Sequence, residues 1–343
     1  MDDSVHSGAA VNATAPFAVP MGDPAGIGPE IIAKAWMVRD AYKLPPFFVI
    51  GDEQAIRQVW QGPIAIIGSA EEAADHFGSA LPCLQIDRVG DTEPGSPSVQ
   101  SAHIALQALE TGIGLAKAGS ASALVTAPVA KSALYAIGFT HPGQTEFIAE
   151  RCGIAPENAV MMLAAPGLRV VPVTIHMPLA QVPAALSIDL ICARARITAR
   201  GLYRQFGIEK PRIVVAGLNP HAGEDGMLGL EEREIIAPAI ALLRGEGLDV
   251  TGPFAADGLF HPRARETYDA ALCMYHDQAL IPIKTLHFDE GVNMTLGLPI
   301  IRTSPDHGTA FGIAGKNIAH PGAMIAAIQM ARQAAQHRRA CAL

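Results

Sequence analysis

An α/β fold in two lobes is predicted by three observations on the sequence. Short runs rich in Val and Ile alternate with Ala- and Leu-rich stretches of helical period, the order expected of parallel strands joined by crossover helices. Half of the residues are apolar and only 17% are charged, which suits well-buried layers and excludes a disordered chain. At 343 residues the chain also exceeds what one hydrophobic core usually serves. A cleft between two lobes is then the expected place for a ligand.

The strands predicted in this way are 17–21, 47–50, 123–126, 170–175, 212–218 and 270–275. Helical period places helices at 29–38, 102–118, 188–206 and 231–244, with 323–338 closing the chain. Residues 90–98 (GDTEPGSPS) are rich in turn formers and read as a surface loop. The first sixteen residues lack the basic start and apolar stretch of a signal peptide and read as a frayed tail. No apolar block reaches the roughly 20 residues of a membrane span, because Arg, Asp, Gly or Pro interrupts each one.

Charge and cysteine usage narrow the function classes. The net charge is −8 and no dense Lys/Arg stripe is present, whereas nucleic-acid binding needs clustered cations. Neither a nucleic-acid nor a membrane partner is expected, and any anionic ligand must be caught locally. The five cysteines (Cys83, Cys152, Cys192, Cys273, Cys341) are scattered and form no C-x-x-C pair. This pattern predicts neither a disulfide framework nor a thiolate zinc site, and it fits a reducing cytoplasm.

Three of the predicted strands run into a histidine: His176 in VTIHMPL, His221 in AGLNPHAGEDG and His276 in MYHDQAL. Ligand sites of open α/β sheets lie just beyond the carboxyl ends of the strands, so all three imidazoles are candidates to converge there. Three neutral imidazoles suit a borderline divalent ion and leave positions open for a substrate atom. A lone histidine after a strand is more often a surface or capping residue, so it is the trio that carries the reading.

Glycine turns supply candidate anion sites. Residues 21–30 (MGDPAGIGPE) read as a strand exit and a turn into a helix with Pro29 near its first position, which leaves backbone N–H groups available. The spacing is not G-x-G-x-x-G, and a plain strand-to-helix turn reads equally well. TAPVAK at 126–131 and Gly143-Gln144-Thr145-Glu146 are further turns with donors. The stretch 284–309 is denser, with Lys284, Asn293, Arg302, Ser304, Asp306, His307 and Thr309 among glycines and apolar residues. Lys284 and Arg302 supply positive charge, and Arg can grip a phosphate or carboxylate through two parallel hydrogen bonds.

Taken together, these segments resemble one family, the 4-hydroxythreonine-4-phosphate dehydrogenases of pyridoxal phosphate biosynthesis. The likeness runs from Phe17 to Arg332 and rests on eight blocks in order: GDPAGIGPE, TAPVAK, PGQTEF, TIHMPL, GLNPHAGEDG, GPFAAD, MYHDQALIPIK and VNMTLGLPIIRTSPDHGTA. It implies a two-lobed α/β/α fold like that of isocitrate and isopropylmalate dehydrogenases, with the active-site cleft between the lobes. Lobe one is expected over 1–135 and 301–343. Lobe two, carrying the metal site and the dimer contact, is expected over 136–300.

The resemblance also implies roles. His176, His221 and His276 are expected to hold a divalent ion (zinc, magnesium or cobalt), one ligand coming from the partner chain of a homodimer. Gln144, Thr145, Lys284, Asn293 and Arg302 fall on substrate-contacting positions. Asp306, His307, Gly308 and Thr309 match a cofactor-side loop for NAD or NADP. Asp257 and Asp277 are candidates for orienting a metal-bound histidine or relaying a proton, with helix caps or turn residues as their alternative reading. Two positions depart from the family pattern: Gln144 stands where the family has His, and Gly312 where it has Asp. The chemistry implied is oxidation of a phosphorylated amino-acid alcohol followed by decarboxylation. Rival readings are the same chemistry on a four-carbon sugar-acid phosphate, a metal-dependent hydrolase or lyase that uses no nicotinamide, and a non-catalytic binding protein.

Overall fold

The computed structural model describes residues 15–87 and 90–342, so the expected N-terminal tail lies outside the described residues except for its last two. In chain order the strands are β1 (Phe17–Pro20), β2 (Phe47–Gly51), β3 (Ile64–Ile67), β4 (Leu81–Gln85), β5 (Ala123–Val125), β6 (Val160–Ala165), β7 (Leu168–Pro172), β8 (Arg212–Ala216), β9 (Asp249–Phe254), β10 (Ala270–Cys273), β11 (Val292–Leu296) and β12 (Arg302–Pro305). They fall into two compact units. Unit 1 runs to Pro156 and resumes at Leu298, and unit 2 is Glu157–Gly297. Both ends of the described chain therefore belong to unit 1, and so do Gln144 and Thr145.

In unit 1 the strand order is β3-β4-β2-β1-β5-β12, and every pairing is parallel. β1 and β2 are buried along their whole length, as parallel strands covered on both faces must be. The crossovers include the helices Gly28–Met37 and Val99–Ala118, and the helix Gly322–Ala342 closes the chain. The start of Val99–Ala118 is fixed by a reciprocal cap: Ser98 Oγ accepts from the Ser101 N–H (3.1 Å) and Ser101 Oγ from the Ser98 N–H (3.0 Å). Gly119, at φ 80°, ends it.

The chain winds outward from β1 in two directions, through β2 on one side and β5 on the other, so the strand order reverses between β1 and β5. That reversal is where open parallel sheets leave a crevice beyond their carboxyl ends. Gly22, at φ 71°, opens the turn there; a Cβ on it would lie 2.3 Å from the Pro128 carbonyl oxygen, so this position requires glycine.

In unit 2 the order is β11-β6-β7-β10-β8-β9. β7, β10, β8 and β9 are mutually parallel, but β6 pairs antiparallel with both β7 and β11. The six strands expected from the sequence, β1, β2, β5, β7, β8 and β10, pair in parallel with one another, and the antiparallel β6 and β11 lie outside that set. Only Pro166 and Gly167 separate β6 from β7, far too little for the dozen or so residues of a crossover, so the pair must form a hairpin. The core gathers Leu163, Val170, Val214, Ala271 and Ile283 around Tyr268, whose hydroxyl donates to the Leu259 carbonyl at 2.9 Å. Each large apolar side chain buried in this way contributes about 1.5–3 kcal/mol.

The helix Ile188–Phe206 matches its expected bounds, capped by Ser187 Oγ accepting from the Leu190 N–H (3.1 Å) and stopped by Gly207 at φ 67°. The stretch predicted as one helix over 231–244 instead begins with a π-helical turn, Glu232–Ile236, before the α-helix Ala237–Gly245. Among the described residues no helix is long and apolar enough to cross a membrane.

Candidate functional site

Two of the three histidines stand together in unit 2, at the exits of the adjacent parallel strands β7 and β10. The backbone past β7 stays bonded to that past β10: the Val173 N–H donates to the Cys273 carbonyl (2.7 Å), and Thr174 Oγ1 donates to that of Met274 (2.8 Å). His176 then turns at φ 51° and His276 opens the helix His276–Leu286, which sets their ring centroids 5.9 Å apart. Both line a cavity of about 310 Å³ with Thr174, Met177, Leu179 and Tyr275.

His276 Nδ1 shares a 2.7 Å hydrogen bond with Asp277 Oδ1. The carboxylate can only accept, so Nδ1 carries the proton and the Nε2 lone pair is left for a ligand. Gln278 is buried behind them. Its Oε1 accepts from the Met274 N–H (2.6 Å) and its Nε2 donates to the Gly217 carbonyl (2.7 Å), tying the exit of β10 to that of β8.

His221 follows β8 in a segment of left-handed backbone, with φ 51° at His221 itself, and is exposed. It does not line the cavity of His176 and His276, and among the described residues no group of three or more His, Cys, Asp or Glu side chains is placed to hold a metal ion. The donor chemistry nonetheless fits a divalent cation. Two imidazoles face one cavity, and the carboxylate on His276 is the partner that metal-bound histidines usually have.

The remaining unit 2 candidates occupy separate elements. Lys284 lies in the last turn of the helix that His276 opens. Asn293 sits on β11 opposite Leu163, and its buried Oδ1 has no hydrogen-bond partner among the described residues. Asp257 is exposed in the turn Ala256–Gly258 that follows β9.

In unit 1 the candidates gather at the strand-order reversal. Arg302, 3% exposed, opens β12 and donates from Nη2 to Thr126 Oγ1 (2.9 Å) just past β5. Burial pushes its guanidinium down to about 10, and nearby Glu146 pulls in the opposite direction, so it stays fully charged at neutral pH. Gln144 opens the helix Gln144–Arg151, followed by Thr145; Gln144 Nε2 donates to the Ala127 carbonyl (3.3 Å) and its buried Oε1 has no partner among the described residues.

The loop after β12 lies over the turn after β1, since the Ile27 N–H donates to the Thr309 carbonyl at 3.0 Å. In that loop Asp306, His307 and Thr309 are half-buried, Gly308 is exposed with open space around it, and His307 Nε2 is buried without a partner among the described residues. A buried polar atom left over in this way suits a nicotinamide cofactor that would satisfy it. Asp23 in the turn after β1 is 1% exposed, and burial holds its carboxyl above the usual range against the Ala25 N–H that bonds it (3.0 Å).

Sequence reasoning missed the residues that steady these groups. Gln278 and Asn219 stand out in the sequence only as members of longer blocks, and Thr126 only as part of a turn. Glu232 carried no signal, because it sits in a run of charged residues that reads as a solvated helix face.

One unit is a parallel-strand α/β sheet with a buried guanidinium at its order reversal and the other carries imidazoles at its strand exits, features of the class of α/β enzymes. Residues 43–331 match the family described as pyridoxal phosphate biosynthetic protein PdxA, and the chain belongs to that family. It is 58% identical over 327 residues to a 4-hydroxythreonine-4-phosphate dehydrogenase of Zymomonas mobilis subsp. mobilis, covering 95% of this chain and 98% of that protein. The solved 4-hydroxythreonine-4-phosphate dehydrogenase of Klebsiella pneumoniae superposes with a TM-score of 0.83 at 36% identity, covering 94% of this chain and 98% of the other. A terephthalate 1,2-cis-dihydrodiol dehydrogenase of Burkholderia xenovorans shares the fold at a TM-score of 0.64 and 29% identity, covering 93% of this chain and 98% of that one.

Proposed function

We propose that the protein oxidises 4-phosphooxy-L-threonine to 2-amino-3-oxo-4-(phosphooxy)butanoate with NAD or NADP and a divalent metal (zinc, magnesium or cobalt). The product then loses carbon dioxide to give 3-amino-2-oxopropyl phosphate, on the route to pyridoxine 5'-phosphate. The observation that carries this reading is the near end-to-end likeness to relatives named for that activity, 58% identical across 95% of the chain in one case.

In this reading His176, His221 and His276 would hold the divalent ion, with one ligand of the set coming from the partner subunit. The ion would supply Lewis acidity for loss of the substrate's hydroxyl proton, and a bound nicotinamide would supply the hydride acceptor. The chain's own residues bind and orient. Asp277 keeps His276 in the tautomer that frees Nε2. Arg302, buried and charged, grips an anionic group of the substrate more strongly than a solvated arginine could. Gln144, with its Nε2 committed to Ala127, offers an acceptor oxygen, which matches a hydroxyl or ammonium of the substrate better than its phosphate.

Thr145, Lys284 and Asn293 complete the substrate contacts, and Asp306, His307, Gly308 and Thr309 receive the cofactor. Asp257, exposed in its turn, is the candidate for passing the proton to solvent. A homodimer is part of this reading. Met177 and Leu179 beside His176, and Met227, Leu228 and Leu230 beyond His221, are all exposed, as suits a face that a second subunit covers. Unit 2 is then the metal and dimer unit. Among the described residues the free thiols Cys83, Cys152, Cys192 and Cys273 suit a cytoplasmic setting.

The test is growth of reduced-nicotinamide absorbance with purified protein. It is expected only when 4-phosphooxy-L-threonine, a divalent metal and NAD or NADP are all present, and a chelator should abolish it. Faster turnover of a four-carbon sugar-acid phosphate would reassign the substrate. Metal-dependent breakdown of substrate without nicotinamide reduction would turn the reading to a hydrolase or lyase.

A further inference from the structure

We infer that Glu232 is a positioning residue for His221: its buried carboxylate clamps the left-handed turn on which that imidazole is presented. The inference rests on the reading of His221 as a metal ligand. Six consecutive residues have positive φ, namely His221 (51°), Ala222 (51°), Gly223 (85°), Glu224 (42°), Asp225 (54°) and Gly226 (94°). Four of them carry a Cβ, and each such residue in the left-handed region costs about 1–2 kcal/mol. Backbone bonds at the edges of the turn run from the Ala222 N–H to the Asn219 carbonyl (3.1 Å), from Met227 to Glu224 (3.0 Å) and from Leu228 to Gly223 (3.0 Å). A turn this strained persists only when its surroundings over-determine it.

Glu232 supplies that constraint. It is 6% exposed, its Oε1 accepts from the Asn219 N–H at 2.7 Å, and its Oε2 accepts from Asn219 Nδ2 at 2.9 Å. Glu231 Oε2 takes Asn219 Nδ2 as well, at 2.8 Å. The residue two before His221 is thus held by backbone and side chain together.

Two glycines make room for the carboxylate. A Cβ on Gly217 would lie 3.0 Å from Glu232 Oε1, and one on Gly223, inside the turn, 2.7 Å from Oε2. Glu232 also opens the π-helical turn Glu232–Ile236, the kind of local insertion that re-aims a side chain and often marks a functional site. The same Gly217 accepts from Gln278 on the helix that His276 opens, so the clamp and the His276 segment share one anchor. Filling this space for stability alone would be served by an apolar side chain, without the desolvation of a charge.

The experiment measures Zn²⁺ binding to the full-length, metal-free protein by chelator competition, with the metal-free Tm recorded beside it. In Glu232→Gln one acceptor becomes a donor facing Asn219, and Zn²⁺ affinity is expected to fall about 10–100-fold, as for loss of an outer partner of a metal ligand. Glu232→Asp keeps both acceptors and is expected to recover part of the loss, whereas His221→Ala should lose at least as much as Glu232→Gln. Wild-type affinity in Glu232→Gln while His221→Ala is impaired overturns the clamp, even if Tm falls, because that is the signature of a purely structural role. Wild-type affinity in His221→Ala removes the metal reading itself and the clamp with it. If Glu232→Gln does not fold, Asn219→Ala, which keeps the backbone bond to Oε1, is judged by the same criteria.

Discussion

Unit 1 buries the charge it is proposed to use, whereas unit 2 leaves its imidazoles within reach of solvent. Arg302 is 3% exposed, and the loops around it are laced by backbone bonds, Asp23 N–H to the Pro128 carbonyl (2.9 Å) and Ile27 N–H to that of Thr309 (3.0 Å). His176 and His221 are exposed and stand at φ 51° each. The contrast follows from what each group must do. A guanidinium held near 10 remains charged at neutral pH, so burial strengthens its grip on an anion without discharging it. An imidazole that has to meet an exchangeable ion must be reachable, and its aim then depends on the backbone beneath it.

The largest effect that could break this contrast is at the exposed end. His276→Ala is expected to reduce kcat well beyond the ~100-fold typical of losing an outer partner of a metal ligand, while far-UV circular dichroism stays unchanged. A comparable loss of secondary structure would mean that the histidines are as structural as the arginine. Next comes the buried charge: Arg302→Lys keeps a cation but loses the planar fork, and KM for the phosphorylated substrate should rise about 10–100-fold with kcat little altered. An unchanged KM would place the anion elsewhere.

Two smaller changes probe how tightly unit 1 is tied. Gly22→Ala puts a Cβ against the Pro128 carbonyl at positive φ and should cost about 2 kcal/mol, lowering Tm by about 4–8 °C. The smallest effect is expected at Asp23. Its carboxyl is held above the usual range by burial, so the wild type loses stability as pH rises through the folded value and keeps it below 3.8, the unfolded one. Asp23→Asn should therefore raise Tm by about 1–2 °C at neutral pH, with the gain vanishing as the pH falls below 3.8. A gain that persisted in acid would show that burial of charge is not its source.

What the sequence revealed of this fold depended on how plainly each strand was buried. β1, β2, β5 and β10 are continuous apolar runs, and β7 and β8 are apolar beyond Arg169 and Arg212, so all six are readable as strands. β4 contains Pro82 and β9 contains Gly252-Pro253, residues that demote a run as strand. β6, VMMLAA, has the composition of a helix, and β12, RTSP, is polar although all four residues are buried. β12 could be recognised only as a likeness to a site loop, because its burial comes from neighbours in space.

The site was legible to the same extent. Histidines after strands can be found by position, and two of the three do meet. The clamp on His221 could not be found this way, since Glu232 is marked by a π-helical turn that leaves no trace in hydrophobic period.

The chain leaves unit 1 at Pro156 and returns to it only at Leu298, so unit 2 is an insertion within the sequence of unit 1. On the ribosome all of unit 2 emerges before β12, the partner of β5, and before the closing helix that covers both strands. Synthesis therefore delivers a finished inner unit while the outer one still lacks an edge, and the strand that completes that edge begins with Arg302. The first half of the chain must wait, partly assembled, for the residue proposed to capture its anion.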